Sequence, residues 1–133
     1  MTGVAWTFAL LAAAVHVLAF AWESLLFRRP GVHQGVFSIP SSDVPAVMLW
    51  AFNVGFYNLF LAGGAVAGVV AWATGNEDVG QALVVYTCLF MVLGSLALFA
   101  SDRMALSRPR GTGVGGALAE GLPPLVALVA VAW

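Results

Sequence analysis

The stretch from Val4 to Phe27 is apolar except for Thr7, Ser24 and two ionisable residues, His16 and Glu23, and a run of that length spans a bilayer with some tilt. Similar runs occupy 44–74, 79–101 and 113–133. Each crossing takes roughly 20 residues, and these four runs with the short connections between them leave no room in 133 residues for a soluble domain. The expected fold is all-α: a single four-transmembrane-helix bundle, with no alternating strands that would point to a barrel. Composition agrees, at 62% hydrophobic and 8% charged against roughly 45–50% and about 25% in soluble domains.

Mean hydropathy is +0.98, there is no lysine, and five arginines face six acids, which excludes a nucleic-acid binder, a disordered chain and a disulfide scaffold. Cys88 is the one cysteine, so no internal disulfide forms, and with only two histidines beside it the zinc sites rich in Cys or His are ruled out.

The first run lacks the basic start and the short apolar core of a cleavable signal, so it is expected to stay in the mature protein. Arg28-Arg29-Pro30 ends it, because the arginines belong at headgroups and proline has no amide hydrogen to donate. Ser41-Ser42-Asp43 before Val44-Pro45 is a helix-start signal in which a side-chain oxygen is expected to cap exposed amides. Gly75 to Asp78 forms a polar turn, Asp102-Arg103 closes the third span, and Ser107 to Gly111 reads as a loop.

All five arginines fall in the loops after the first and third spans, whereas the turn after the second holds Glu77 and Asp78. Both termini are therefore expected outside the cytoplasm, in a bacterial cytoplasmic membrane. Trp22 and Trp50 then lie near the cytoplasmic surface, and Trp6, Trp72 and Trp133 near the other, as interfacial indoles do.

Counting about 1.5 Å per residue from that surface places Glu23 roughly 6 Å deep, His16 roughly 16 Å, and Asn53, Tyr57 and Asn58 roughly 12, 18 and 20 Å. His16 and Glu23 are seven residues apart, which on a regular helix puts both on one face. Cys88, Ser95 and Asp102 recur at the same interval in the third span, and Glu120 is about 10 Å into the fourth. An ionisable group in hydrocarbon costs about 2.5–3.5 kcal/mol, so Glu23, His16 and Glu120 should face the bundle interior or a wet cavity. The expected cavity opens to the cytoplasm, with Glu23, Asn53, Ser95 and Glu120 at its mouth and His16, Tyr57 and Asn58 at its floor.

Plainer readings stand beside this one. Asparagine and serine in membrane helices also act as interhelical glue, worth about 0.6 kcal/mol each, which suits Asn58 and Ser95 equally well. His16 alone fits a structural hydrogen bond, Glu120 lies nearer the surface if its helix starts later, and Cys88 reads as packing. The glycine-rich stretch from Gly111 to Gly116 follows no strand and lacks a lysine, so it reads as a flexible helix start and not a phosphate loop. Arg103, Arg108 and Arg110 set topology and meet lipid headgroups. Gly64 and Gly68 form a small face for close packing, within this chain or between copies. His33 has no partner that the sequence identifies. Gly35 to Ile39 is apolar for a loop and reads as an ordinary interfacial segment or, alternatively, a lid over the cavity.

The segment Asn53-Val54-Gly55-Phe56-Tyr57-Asn58-Leu59-Phe60-Leu61-Ala62 resembles the central signature of a small bacterial membrane-protein family catalogued as domain of unknown function one-three-zero-four. The resemblance covers almost the whole chain. It implies a first helix with His and Glu at the spacing of His16 and Glu23, and a polar residue before Gly-Leu-Pro where Glu120-Gly121-Leu122-Pro123 stands here. Val54 and Glu120 depart from it, each standing where glutamine is usual in the family. The resemblance brings no reaction with it.

The leading expectation is a membrane-embedded acid/base enzyme, an isomerase or cyclase acting on a lipophilic small molecule without cofactor or metal. Glu23 or Glu120 would serve as acid and His16 as partner, with Asn53, Tyr57, Asn58 and Ser95 binding substrate. Other expectations are a small transporter or proton-coupled carrier, and a helper subunit or homo-oligomer packing through the Gly64/Gly68 face.

Overall fold

The computed structural model describes residues 1–106 and 109–133, all-helical in their regular structure. The order is α1 (Thr2–Phe20), a π-helical turn (Ala21–Leu25), α2 (Pro30–His33), α3 (Val44–Ala73), α4 (Glu77–Arg103) and α5 (Val114–Ala132). Four helices are long and apolar enough to cross a membrane: α1 with its π-turn, α3, α4 and α5. They form a closed ring in which α1 packs on α3, α3 on α4, α4 on α5 and α5 back on α1, while α1 and α4 barely touch across it.

Small residues make this ring tight. Ala5, Ala9 and Ala12 of α1, Ala65 of α3 and Ala127 of α5 are fully buried, which brings backbones together, while Leu49, Phe60, Phe90 and other bulky residues face outward. Gly64 and Gly68 serve this packing within the chain. A Cβ on Gly64 would stand 2.8 Å from Thr87 Cγ2, and one on Gly68 2.9 Å from the Val84 nitrogen, both on α4. Cys88 is buried in the same α3–α4 core.

Trp6 and Trp72 meet edge to face, with ring centroids 6.1 Å apart, at the end that also holds Glu77 and Asp78. Arg28, Arg29, Arg103 and Arg110 occupy the opposite end, while Ser107 and Arg108 lie outside the described residues.

Two local expectations are corrected. Asp43 is the N-cap of α3, but no side-chain oxygen caps the helix: the carboxylate accepts the Ser42 hydroxyl at 2.9 Å, and the first-turn amides use the Asp43 carbonyl. The first span also does not continue as α-helix to Phe27. It widens into a π-turn, with the Leu26 N–H bonding to the Ala21 carbonyl at 2.9 Å.

Candidate functional site

Glu23 sits in the π-turn, and the turn lies where it does because of Gly55. A Cβ there would collide with Ser24 Oγ and stand 3.1 Å from the Ser24 nitrogen and 3.2 Å from Glu23 Cβ. With no side chain in the way, the Ser24 hydroxyl donates to the Phe52 carbonyl at 2.9 Å, fixing the turn on α3. In that register Asn58 Nδ2 donates to Glu23 Oε2 at 2.8 Å.

The signature around Asn58 is two-faced. Gly55 and Asn58, three residues apart, face α1, while Asn53 and Tyr57 lie on the outward side, Tyr57 at 58% exposed. Neither lines the cavities at Glu23, nor does Asn58, which reaches them only through the Glu23 carboxylate, so the expectation that all three would is corrected. Depth counting failed for a physical reason. At 30 residues, α3 is about 45 Å long, more than the roughly 30 Å hydrocarbon core, and overhangs the end of α1.

His16 is buried at 3% exposed, its Nδ1–H donating to the Ala12 carbonyl at 2.9 Å, and it lines neither cavity. A spacing of seven no longer returns to one face once a π-turn intervenes. Ser95 is also placed elsewhere: it donates to the Val92 carbonyl at 2.8 Å, and its side chain fills the space left by Gly121 at the α4–α5 crossing. It serves packing.

Glu23 lines two cavities. The larger, about 480 Å³, lies between α1 and α5 and is also lined by Glu120, Trp22, Thr112 and the side-chain-free Gly115 and Gly116. The smaller, about 320 Å³, is walled by Phe27, Ile39, Val47, Trp50, Val54 and Asp102 among others. Glu120 has a backbone companion. Pro123 and Pro124 lie inside α5 and cannot donate to the carbonyls of Ala119 and Glu120, both of them cavity residues. The arrangement can give and accept protons in a mostly apolar space, and it presents acceptors to a bound molecule. Among the described residues, no three His, Cys, Asp or Glu side chains gather to hold a metal.

Two contributors escaped sequence reasoning. Asp102 is buried and accepts the Gly111 N–H (3.0 and 2.8 Å to its two oxygens) and the Gly113 N–H (2.7 Å), besides pairing with Arg103. It thereby clamps the segment that walls the larger cavity. His33 is buried and staples its own loop: Nδ1–H donates to the Ile39 carbonyl at 2.9 Å, and the Ile39 N–H returns a bond to the His33 carbonyl. That loop delivers Val36, Phe37 and Ile39 to the cavity walls, so of the two readings for Gly35 to Ile39 the one that folds over the cavities describes its position. The signals in the sequence were an acid ahead of a glycine-rich loop and a histidine beside an apolar one.

The profile of the family described as Protein of unknown function (DUF1304) matches residues 10–132. The chain belongs to this family. Glu23, Asn58 and Glu120 all fall within the matched DUF1304 region, as do both cavities' other walls. Val54 lines the smaller cavity and Glu120 the larger. No curated protein and no solved structure matches the chain significantly.

Proposed function

We propose that this chain is a membrane-embedded acid/base enzyme that isomerises or cyclises a lipophilic small molecule. One observation carries the reading: Glu23 and Glu120, brought from the π-turn and α5, line the same largely apolar cavity of about 480 Å³. One carboxyl delivers a proton to an unsaturated substrate, and the other removes a proton from a neighbouring carbon. A double bond thereby shifts, or a ring closes between the two events, with no net gain or loss of hydrogen. Asn58 holds Oε2 of Glu23 and so orients Oε1 for the transfer. His16 falls out of the catalytic set and supports α1 instead. The proposed setting is a bacterial cytoplasmic membrane with the arginine-rich end in the cytoplasm, the cavities near that face, and no cofactor.

The test is deuterium uptake. Purified protein in lipid nanodiscs is incubated in deuterated buffer with neutral lipids from the producing cells, and C–H exchange is followed by mass spectrometry. Wild type should place deuterium in one lipophile. Glu23→Gln and Glu120→Gln should each lower the rate by about 10²–10⁴-fold, and the double variant should be little worse than either. Absence of protein-dependent exchange, with labelled lipophile instead moved across the bilayer, would replace this reading with that of a carrier.

A further inference from the structure

The two cavities are not independent, because Glu23 and Phe37 line both. Glu23 is fixed from α3 by Asn58, so it forms a constant edge between them. Phe37 is a different kind of wall. It comes from the loop closed by the His33–Ile39 pair, and its ring stands 5.4 Å from that of Phe27. The next residue, Ser38, has a left-handed φ of +56° that turns the chain away, leaving a half-buried ring to stand between the two spaces.

The chemistry of the walls is also continuous. Both cavities are mostly apolar, and among the described residues no arginine or histidine lines either, while Glu23, Asp102 and Glu120 do, which disfavours a phosphate or carboxylate head. At about 320 and 480 Å³, each alone lies in the lower half of the roughly 300–1,000 Å³ range of ligand pockets, while the two joined match a larger ligand.

We propose that the two cavities are the arms of one binding site for an elongated, uncharged lipophile that passes Phe37 and presents an internal group, not a chain end, to Glu23. This rests on the acid/base reading only in naming Glu23 as the reacting group. The bent course sets selectivity: a substrate must have apolar length on both sides of its reactive centre. Glu120 and the backbone carbonyls freed by the α5 prolines favour a hydroxyl or amide N–H near that centre, in the larger arm.

The test uses hexadecan-8-ol carrying a diazirine three carbons from its hydroxyl, photolysed with the full chain in nanodiscs, and peptide mapping of the labelled sites. Saturable labelling should appear on both the Ala51–Val54 and the Gly115–Glu120 segments, competed by plain hexadecan-8-ol and not by hexadecanoate. Two cavity-filling variants decide between one site and two. Gly116→Leu adds bulk to the larger arm, where a Cβ meets only Leu98 at an ordinary 3.6 Å, and Ala51→Leu does so in the smaller. Each should lower saturable labelling in both arms by about tenfold, the equivalent of about 1.4 kcal/mol, because a molecule needing both arms cannot bind when one is filled. If each variant silences only its own arm, or labelling is not saturable, the single-site proposal is wrong. Glu23→Gln should still be labelled, since the amide keeps the shape of the carboxyl. Occupancy and proton transfer therefore fail separately.

Discussion

Asn58 donates its side-chain amide to Oε2 of Glu23 across the α1–α3 interface at 2.8 Å, tying the signature on α3 to the carboxyl where two cavities meet. A hydrogen bond to a charged group is worth about 1.5–3 kcal/mol, against about 0.6 kcal/mol for the average polar pair between membrane helices. A double-mutant cycle with Glu23→Ala and Asn58→Ala, read by unfolding in mixed detergent, should give a coupling above that average. A value at or below it would reduce the pair to ordinary glue.

Gly55→Ala should lower stability by about 1–3 kcal/mol, as overpacking does at a tight contact. Adding Ser24→Ala should recover part of the loss by removing the Oγ that the new methyl strikes. The remainder reflects the Ser24 nitrogen, 3.1 Å from the same position, which no substitution removes. Full recovery would show that the π-turn backbone has room to move.

Asn53→Ala and Tyr57→Phe should leave deuterium exchange near wild type, since both side chains are on the outward side of α3. Asn58→Ala, one residue from Tyr57, should impair it. Equal losses in all three would mean that the outer face takes part in the reaction.

Asp102→Asn should destabilise the chain by about 1.5–3 kcal/mol, because an amide offers one acceptor oxygen where the carboxylate serves Gly111, Gly113 and Arg103 with two. The measurable sign is faster proteolysis in the α4–α5 connection, together with weaker hexadecan-8-ol labelling of the larger arm. Unchanged proteolysis would show that the clamp is redundant.

A cysteine placed at Glu77 in a Cys88→Ser background should react with an impermeant maleimide on intact cells. Reaction only after the cells are opened would invert the proposed orientation and turn the arginine-rich end outward.

The four spans were legible because hydropathy and length are strong signals, and their ends were marked by the arginine pair, Pro45 and the turn at Gly75. Membrane-buried carboxyls likewise pointed to Glu23 and Glu120 before any contact was known. Which asparagine faces inward was not legible. Asn53 and Asn58 differ by five residues, roughly 140° around a helix, and the choice depends on where α1 lies. The overhang of α3 hid the level at which Asn58 meets Glu23, and nothing in Ala21-Trp22-Glu23-Ser24-Leu25 announces a π-turn. Asp102 and His33 act through loop backbone, whose path is set only after the bundle closes.

The π-turn makes residue count a chemical variable. Removing Trp22 would restore a regular helix and rotate the downstream chain by roughly 100°, one residue step, carrying the carboxyl away from Asn58 while the alanine core of α1 stayed in place. Substitutions grade a function up or down, but a single-codon deletion here would keep the scaffold and discard the site. The distance in residues between the alanine face and the Arg28-Arg29 pair thus works as a phase setting that decides whether the carboxyl reaches this junction.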